Sequence, residues 1–168
     1  GNQNTAVGTR SGDALTTGYY NTTMGALSGG ASLSTGFQNT LLGHTSTAGG
    51  NDNTHVGFST TSSGDQSTLL GSSSNVSGSR TNATAIGYRA QVAASNSLVL
   101  GSINGVNGAT ANTSVGIGTT TPTARLDVDA DFKLGNNGSI MNEIIKSSAV
   151  FDIPNLPAQT STVTTFAV

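Results

Sequence analysis

Few side chains in this sequence can move a proton near neutral pH. They are His44 and His55, with the acids Asp13, Asp52, Asp65, Asp127, Asp129, Asp131, Glu143 and Asp152. Cysteine is absent, which removes thiolate nucleophiles, disulfides and thiolate metal sites together. Neither a Gly-x-Ser-x-Gly elbow nor a His-Glu-x-x-His zinc helix occurs. Asp127-x-Asp129-x-Asp131 has the spacing of the first ligands of a calcium loop. However, Phe132 stands where the sharp-turn glycine belongs, and Gly138 where the bidentate Glu belongs. Gly116-x-Gly118 lacks the third glycine of a dinucleotide loop and follows no βαβ pattern. The expectation is therefore a chain with no catalytic, cofactor-binding or metal-ligating residues, not an enzyme.

The elements that carry these residues are announced by a repeat. Eight times a small polar residue or two, one variable residue and one aliphatic residue precede a glycine: Gly8, Gly25, Gly43, Gly57, Gly71, Gly87, Gly101 and Gly116. Successive closing glycines lie 17, 18, 14, 14, 16, 14 and 15 residues apart. That is too short for a helical-pair repeat and suits one coil of a β-solenoid. The phrases are Thr- and Val-rich, as strands are, and the intervening glycines suit tight corners. The longer first spacings place extra loop residues around Tyr19, Tyr20 and Gly29 to Ser32.

Side chains alternate along a strand, so each phrase has two faces. The aliphatic column Val7, Met24, Leu42, Val56, Leu70, Ile86, Leu100 and Val115 is expected inside the solenoid. The variable residues Ala6, Thr23, Leu41, His55, Leu69, Ala85, Val99 and Ser114 would then point outward. Because Leu41, Leu69 and Val99 are apolar, that outward face needs a cover. A single column buries little: each aliphatic side chain contributes roughly 1.5–3 kcal/mol, against about 1–2 kcal/mol of backbone entropy per ordered residue. A homotrimer packed around a common axis supplies the missing core, with a rod length of roughly 40 Å for eight coils. On that axis three copies of His55 would meet, as an ion-binding ring or a pH-sensitive point. Tyr19, Tyr20, Phe37, Phe58 and Tyr88, just beyond turn or closing glycines, are the candidates for surface recognition.

The stretches Asn82 to Val92 and Ala94 to Gly101 resemble the head repeats of trimeric autotransporter adhesins. The resemblance extends over residues 1 to 116 and implies a left-handed parallel β-roll assembled as a trimer. Ser114 to Val128 is similar to a junction segment of bacterial surface and phage tail-fibre-like proteins. It implies a C-terminal region that often ends in an intramolecular chaperone, none of which is recognisable before Val168.

The composition changes at this junction. Residues 1 to 118 hold three Arg and three Asp, whereas all three prolines, Pro122, Pro154 and Pro157, come later. Two domains are expected: the repeat region at 1–118 and a β-rich, interwoven trimeric segment at 119–168. In the second, Leu126, Val128, Ala130, Phe132 and Leu134 alternate with polar residues as a half-buried strand. Asn136-Asn137-Gly138 reads as its turn and Ile140 to Ile145 as the returning strand; Ala149 to Ile153 and Thr162 to Val168 read as further strands.

With 8% charged residues and a net charge of −2, the chain offers no basic patch for nucleic acid. No apolar run is long enough for membrane insertion in this segment. The sequence opens on a repeat without a Met, as a processed or excised piece would. The functional expectation is a trimeric, extracellular fibre segment on a cell surface or particle appendage, a structural rod and adhesion or host-recognition module. Its partners would be its own copies and a host, matrix or cell-surface glycan or protein. The alternatives are an ice-binding β-solenoid, against which the Thr pairs at 16–17, 60–61 and 119–121 keep no common phase, and a polysaccharide-cleaving β-helix enzyme, which needs clustered carboxylates.

Overall fold

The computed structural model describes residues 2–30, 33, 35–133 and 140–141. It is all-β, a parallel β-solenoid with no α-helix among the described residues. Strands β1 (Thr5–Val7), β2 (Thr22–Met24), β3 (Thr40–Leu42), β5 (Thr54–Val56), β7 (Thr68–Leu70), β9 (Ala83–Ile86) and β11 (Ser97–Leu100) stack in that order as one seven-stranded sheet. Every pairing in it is parallel and in phase, Thr on Thr from Thr5 to Thr68. A second, four-stranded sheet runs opposite, from β4 (Thr47–Ala48) through β6 (Thr61–Ser62) and β8 (Asn75–Val76) to β10 (Gln91–Val92).

Two families of corners join the sheets. The residue that turns into each long strand has positive φ, from 53° to 62°, and is never glycine: Gln3, Tyr20, Gln38, Asp52, Gln66, Asn82 and Asn96. Holding an L-residue in this region costs about 1–2 kcal/mol. A ladder of backbone hydrogen bonds between coils offsets that cost: Gln38 N–H donates to the Tyr19 carbonyl at 3.1 Å, Asp52 to Phe37 at 3.1 Å and Gln66 to Asn51 at 2.9 Å. Glycine is required instead at the close of the phrase. At Gly71, with φ +130°, a Cβ would stand 2.5 Å from the Gly87 carbonyl oxygen of the next coil.

Four expectations are corrected. The extra residues of the first coil fall at 12–17, not around Tyr19 and Tyr20, which occupy a regular corner; of those expected in the second coil, Ala31 and Ser32 lie outside the described residues. Among the described residues neither of these coils forms a short strand, and Leu15 and the fully buried Leu33 fill the core where β4 and β6 place Ala48 and Ser62. The eighth phrase leaves the solenoid sheet. β12 (Val115–Ile117) pairs in parallel with β13 (Leu126–Val128), and Thr113, not another glycine, packs over Gly101.

The half-buried strand expected from Leu126 to Leu134 is likewise interrupted. Ala130 adopts φ 139°, and Asp129 to Asp131 lie outside any strand. The chain divides at this break into a first unit, Gly1–Asp129, and a second, Ala130–Val168. The second unit holds β14 (Phe132–Lys133) antiparallel to β15 (Ile140–Met141), the pairing the turn motif predicts. The turn at 136–138 and the strands expected at 149–153 and 162–168 lie outside the described residues.

The fourth correction concerns the faces of the long sheet, which are exchanged relative to expectation. The variable residues point inward: Thr23, Leu41, His55, Leu69 and Ala85 are fully buried, and Val99 is half-buried against them. The aliphatic column that should have filled the core lies outside.

The asparagines immediately before β2, β3 and β5 settle this parity. Asn21, Asn39 and Asn53 are 1% exposed and form an interior amide ladder. The Asn39 amide N–H donates to Asn21 Oδ1 at 3.0 Å, Asn53 N–H to Asn39 Oδ1 at 3.0 Å, and Ser67 N–H to Asn53 Oδ1 at 2.8 Å. The Nδ2 groups of Asn21 and Asn39 reach the Gly36 and Gly50 carbonyls at 2.8 and 2.9 Å. Each Asn stands two residues before the variable residue, on the same face. Turning it outward would strand these buried backbone groups, at about 1–3 kcal/mol each.

Candidate interaction surface

With the phrase turned over, the outer face of the seven-stranded sheet carries two parallel columns. The aliphatic one includes Val7, Met24, Val56, Leu70 and Leu100, each 37–50% exposed, while Leu42, Ile86 and Val115 are half-buried. Beside it runs a threonine column: Thr5, Thr22, Thr40, Thr54, Thr68 and Thr84, replaced by Leu98 in the last strand. Neighbouring members of a column are one inter-strand spacing apart, about 4.8 Å. A run of large aliphatic side chains standing half in water on one sheet face is the feature that marks an interaction site. Charge does not oppose contact there, because the Arg and Asp residues of this region lie at corners and insertions.

Leu41, Leu69 and Val99, expected to meet partner chains, belong to the core of a single chain. His55 is there too, so no ring of imidazoles around an axis can form from it. It lies in register between Leu41 and Leu69, separating the Leu33–Leu41–Ala48 cluster from the Leu69–Val76–Ala83 cluster. Nε2 bonds Ser62 Oγ at 3.0 Å, and Nδ1 is buried with no hydrogen-bond partner. Burial penalises the imidazolium and lowers the pKa of His55 from 6.5 to about 4.

Among the described residues the carboxylates do not converge. Asp13 pairs with Arg10 at 3.0 Å on the surface, Asp65 Oδ1 accepts from the Asn51 backbone at 2.8 Å, and Asp52 is an exposed corner residue. Asp127 Oδ2 accepts from the Thr123 backbone and hydroxyl at 2.7 and 3.0 Å, closing a turn. Among the described residues no three metal-ligating side chains come together.

The aromatics divide between the two corners. Tyr19 stacks on Phe37, centroids 5.2 Å apart with planes within 5°, and Tyr20 meets Tyr19 edge-on at 5.2 Å. On the other corner Phe58 stacks on His44 at 5.5 Å, and the Arg89 guanidinium lies 5.3 Å from the Tyr88 ring centre. The sequence reading missed the threonine column and the residues around Tyr19 and Tyr20. The first was legible in the Thr that opens every phrase through Thr84; the second required knowing which loops adjoin. Comparison with protein families, with curated proteins and with solved structures gives no match.

Proposed function

We propose that this chain is a non-enzymatic fibre segment: a homotrimeric structural rod of an extracellular appendage that also serves in adhesion or host recognition. The single observation that carries the reading is the half-exposed aliphatic column on the outer face of the seven-stranded sheet. Three copies that turn these columns toward one axis cover them mutually, by the closed symmetry that homo-oligomers favour, and the zero net charge of residues 1–118 raises no electrostatic barrier. Trimerisation thus rests on the aliphatic residues before each glycine, not on Leu41, Leu69 and Val99. Light scattering tests it: three chains of 16.7 kDa give about 50 kDa. A mass of one chain with intact β structure refutes it.

One observation favours a second reading. The outward threonines keep register over six strands of one sheet, although the Thr pairs elsewhere do not, and a regular hydroxyl-and-methyl array is the geometry an ice-binding solenoid needs. Thermal hysteresis of the purified chain decides this reading; freezing without hysteresis removes it.

A further inference from the structure

An open cleft of about 490 Å³ lies where the first two corners of the solenoid adjoin, lined by Asn2, Gln3, Thr16, Thr17, Tyr19 and Tyr20. Its volume lies within the range of small-ligand sites. It has two chemically distinct walls. One is aromatic: Tyr19 is 41% and Tyr20 54% exposed. Parallel stacking on Phe37 covers one face of Tyr19, and the residue remains 41% exposed beside the first coil, whose corner carries Asn2 and Gln3 in place of rings. The edge-on contact with Tyr20 holds the plane of Tyr19. The other wall is uncharged and polar, built from the amide side chains of Asn2 and Gln3 and the hydroxyls of Thr16 and Thr17. The insertion that displaces the first short strand brings those threonines here.

A flat apolar face bordered by neutral donors and acceptors suits a ligand with the same division. A pyranose ring has it: one face of C–H groups for the aromatic plane, and a rim of hydroxyls for amides and hydroxyls. A fully apolar ligand would leave the amide rim unpaired, and an anion would find no cation among the lining residues. We propose that this cleft is a subsite for one pyranose unit of a carbohydrate chain, with Tyr19 as the stacking platform. The inference rests on the reading of the rod as a recognition module, but the subsite lies wholly within one chain and needs no trimer.

The chain has three tyrosines and no tryptophan, so its intrinsic emission reports mainly on Tyr19 and Tyr20. The full 168-residue chain is titrated with the methyl glycosides of glucose, galactose, mannose and N-acetylglucosamine to high millimolar concentration, following tyrosine emission and saturation-transfer NMR. At least one glycoside is expected to give a saturable signal in the millimolar range. Tyr19→Ala should weaken it about five- to tenfold, Tyr19→Phe should keep it within about twofold because the ring face remains, and Tyr88→Ala should leave it unchanged. No saturable signal with any of the four, or binding that survives Tyr19→Ala undiminished in a variant with unaltered circular dichroism, overturns the subsite. Light scattering on the same sample separates the two readings. A trimer that binds no glycoside refutes the subsite alone, and a monomer that binds one refutes the rod alone.

Discussion

Acid should open this solenoid at its middle, and His55 should be the cause. The imidazole is fully buried and is held near pKa 4 by desolvation, against 6.5 when exposed. The unfolded chain therefore binds more protons than the folded one between those values, and stability falls as pH drops through that window. A shift of this size contributes about 3 kcal/mol that is present above pH 6.5 and lost below pH 4; at pH 5 about 2 kcal/mol of it has gone. The loss falls between the two apolar clusters that His55 separates, so the coils around β3, β5 and β7 should loosen first. The assay compares wild type with His55→Leu by urea unfolding at pH 7 and pH 5. Leucine continues the Leu41–Leu69 column and removes the unpartnered Nδ1, at the cost of leaving Ser62 Oγ without its 3.0 Å partner. At pH 7 the two proteins should differ by no more than about 1 kcal/mol. At pH 5 the variant should have gained about 2 kcal/mol relative to wild type. A stability difference that stays flat between the two pH values refutes the argument.

Other residues test other parts of the structure. Leu70→Glu should leave the circular dichroism of the chain intact, since the side chain is 47% exposed, yet abolish the trimer in light scattering by placing three charges in its interior, at about 3 kcal/mol or more. Asn39→Ala removes the acceptor of the Asn53 amide and the donor to Gly50; thermal melting should show a loss of about 3 kcal/mol. Gly71→Ala combines a positive φ with a clash against the Gly87 carbonyl, and should cost about 2–4 kcal/mol by urea unfolding, where a neutral result would contradict the coil stacking.

Much of the architecture could be read without coordinates. The spacing of the closing glycines implies parallel coils of two short strands, and the structure stacks seven of the eight phrases in the expected register. The phrase alone, however, is compatible with either of its faces being inside. Val7 and Leu70 are as hydrophobic as Leu41 and Leu69, and hydrophobicity cannot choose between adjacent positions of a strand that is apolar on both sides. The choice belongs to Asn21, Asn39 and Asn53, whose amides satisfy backbone groups only from the interior. That preference was latent in the recurrence of Asn before Thr, a residue type otherwise uncommon in strands.

The candidate sites divide in the same way. Periodicity alone determined a solenoid of stacked coils, because coil length is a property of local sequence and each coil contacts only its neighbours. Which residues face water was decided by tertiary structure, because side-chain parity depends on hydrogen bonds between residues 14 to 18 positions apart. The same long-range packing placed His55 between two apolar clusters instead of on an axis, and brought Asn2 and Gln3 beside Tyr19 and Tyr20. Neither placement is a property of any local stretch of the chain.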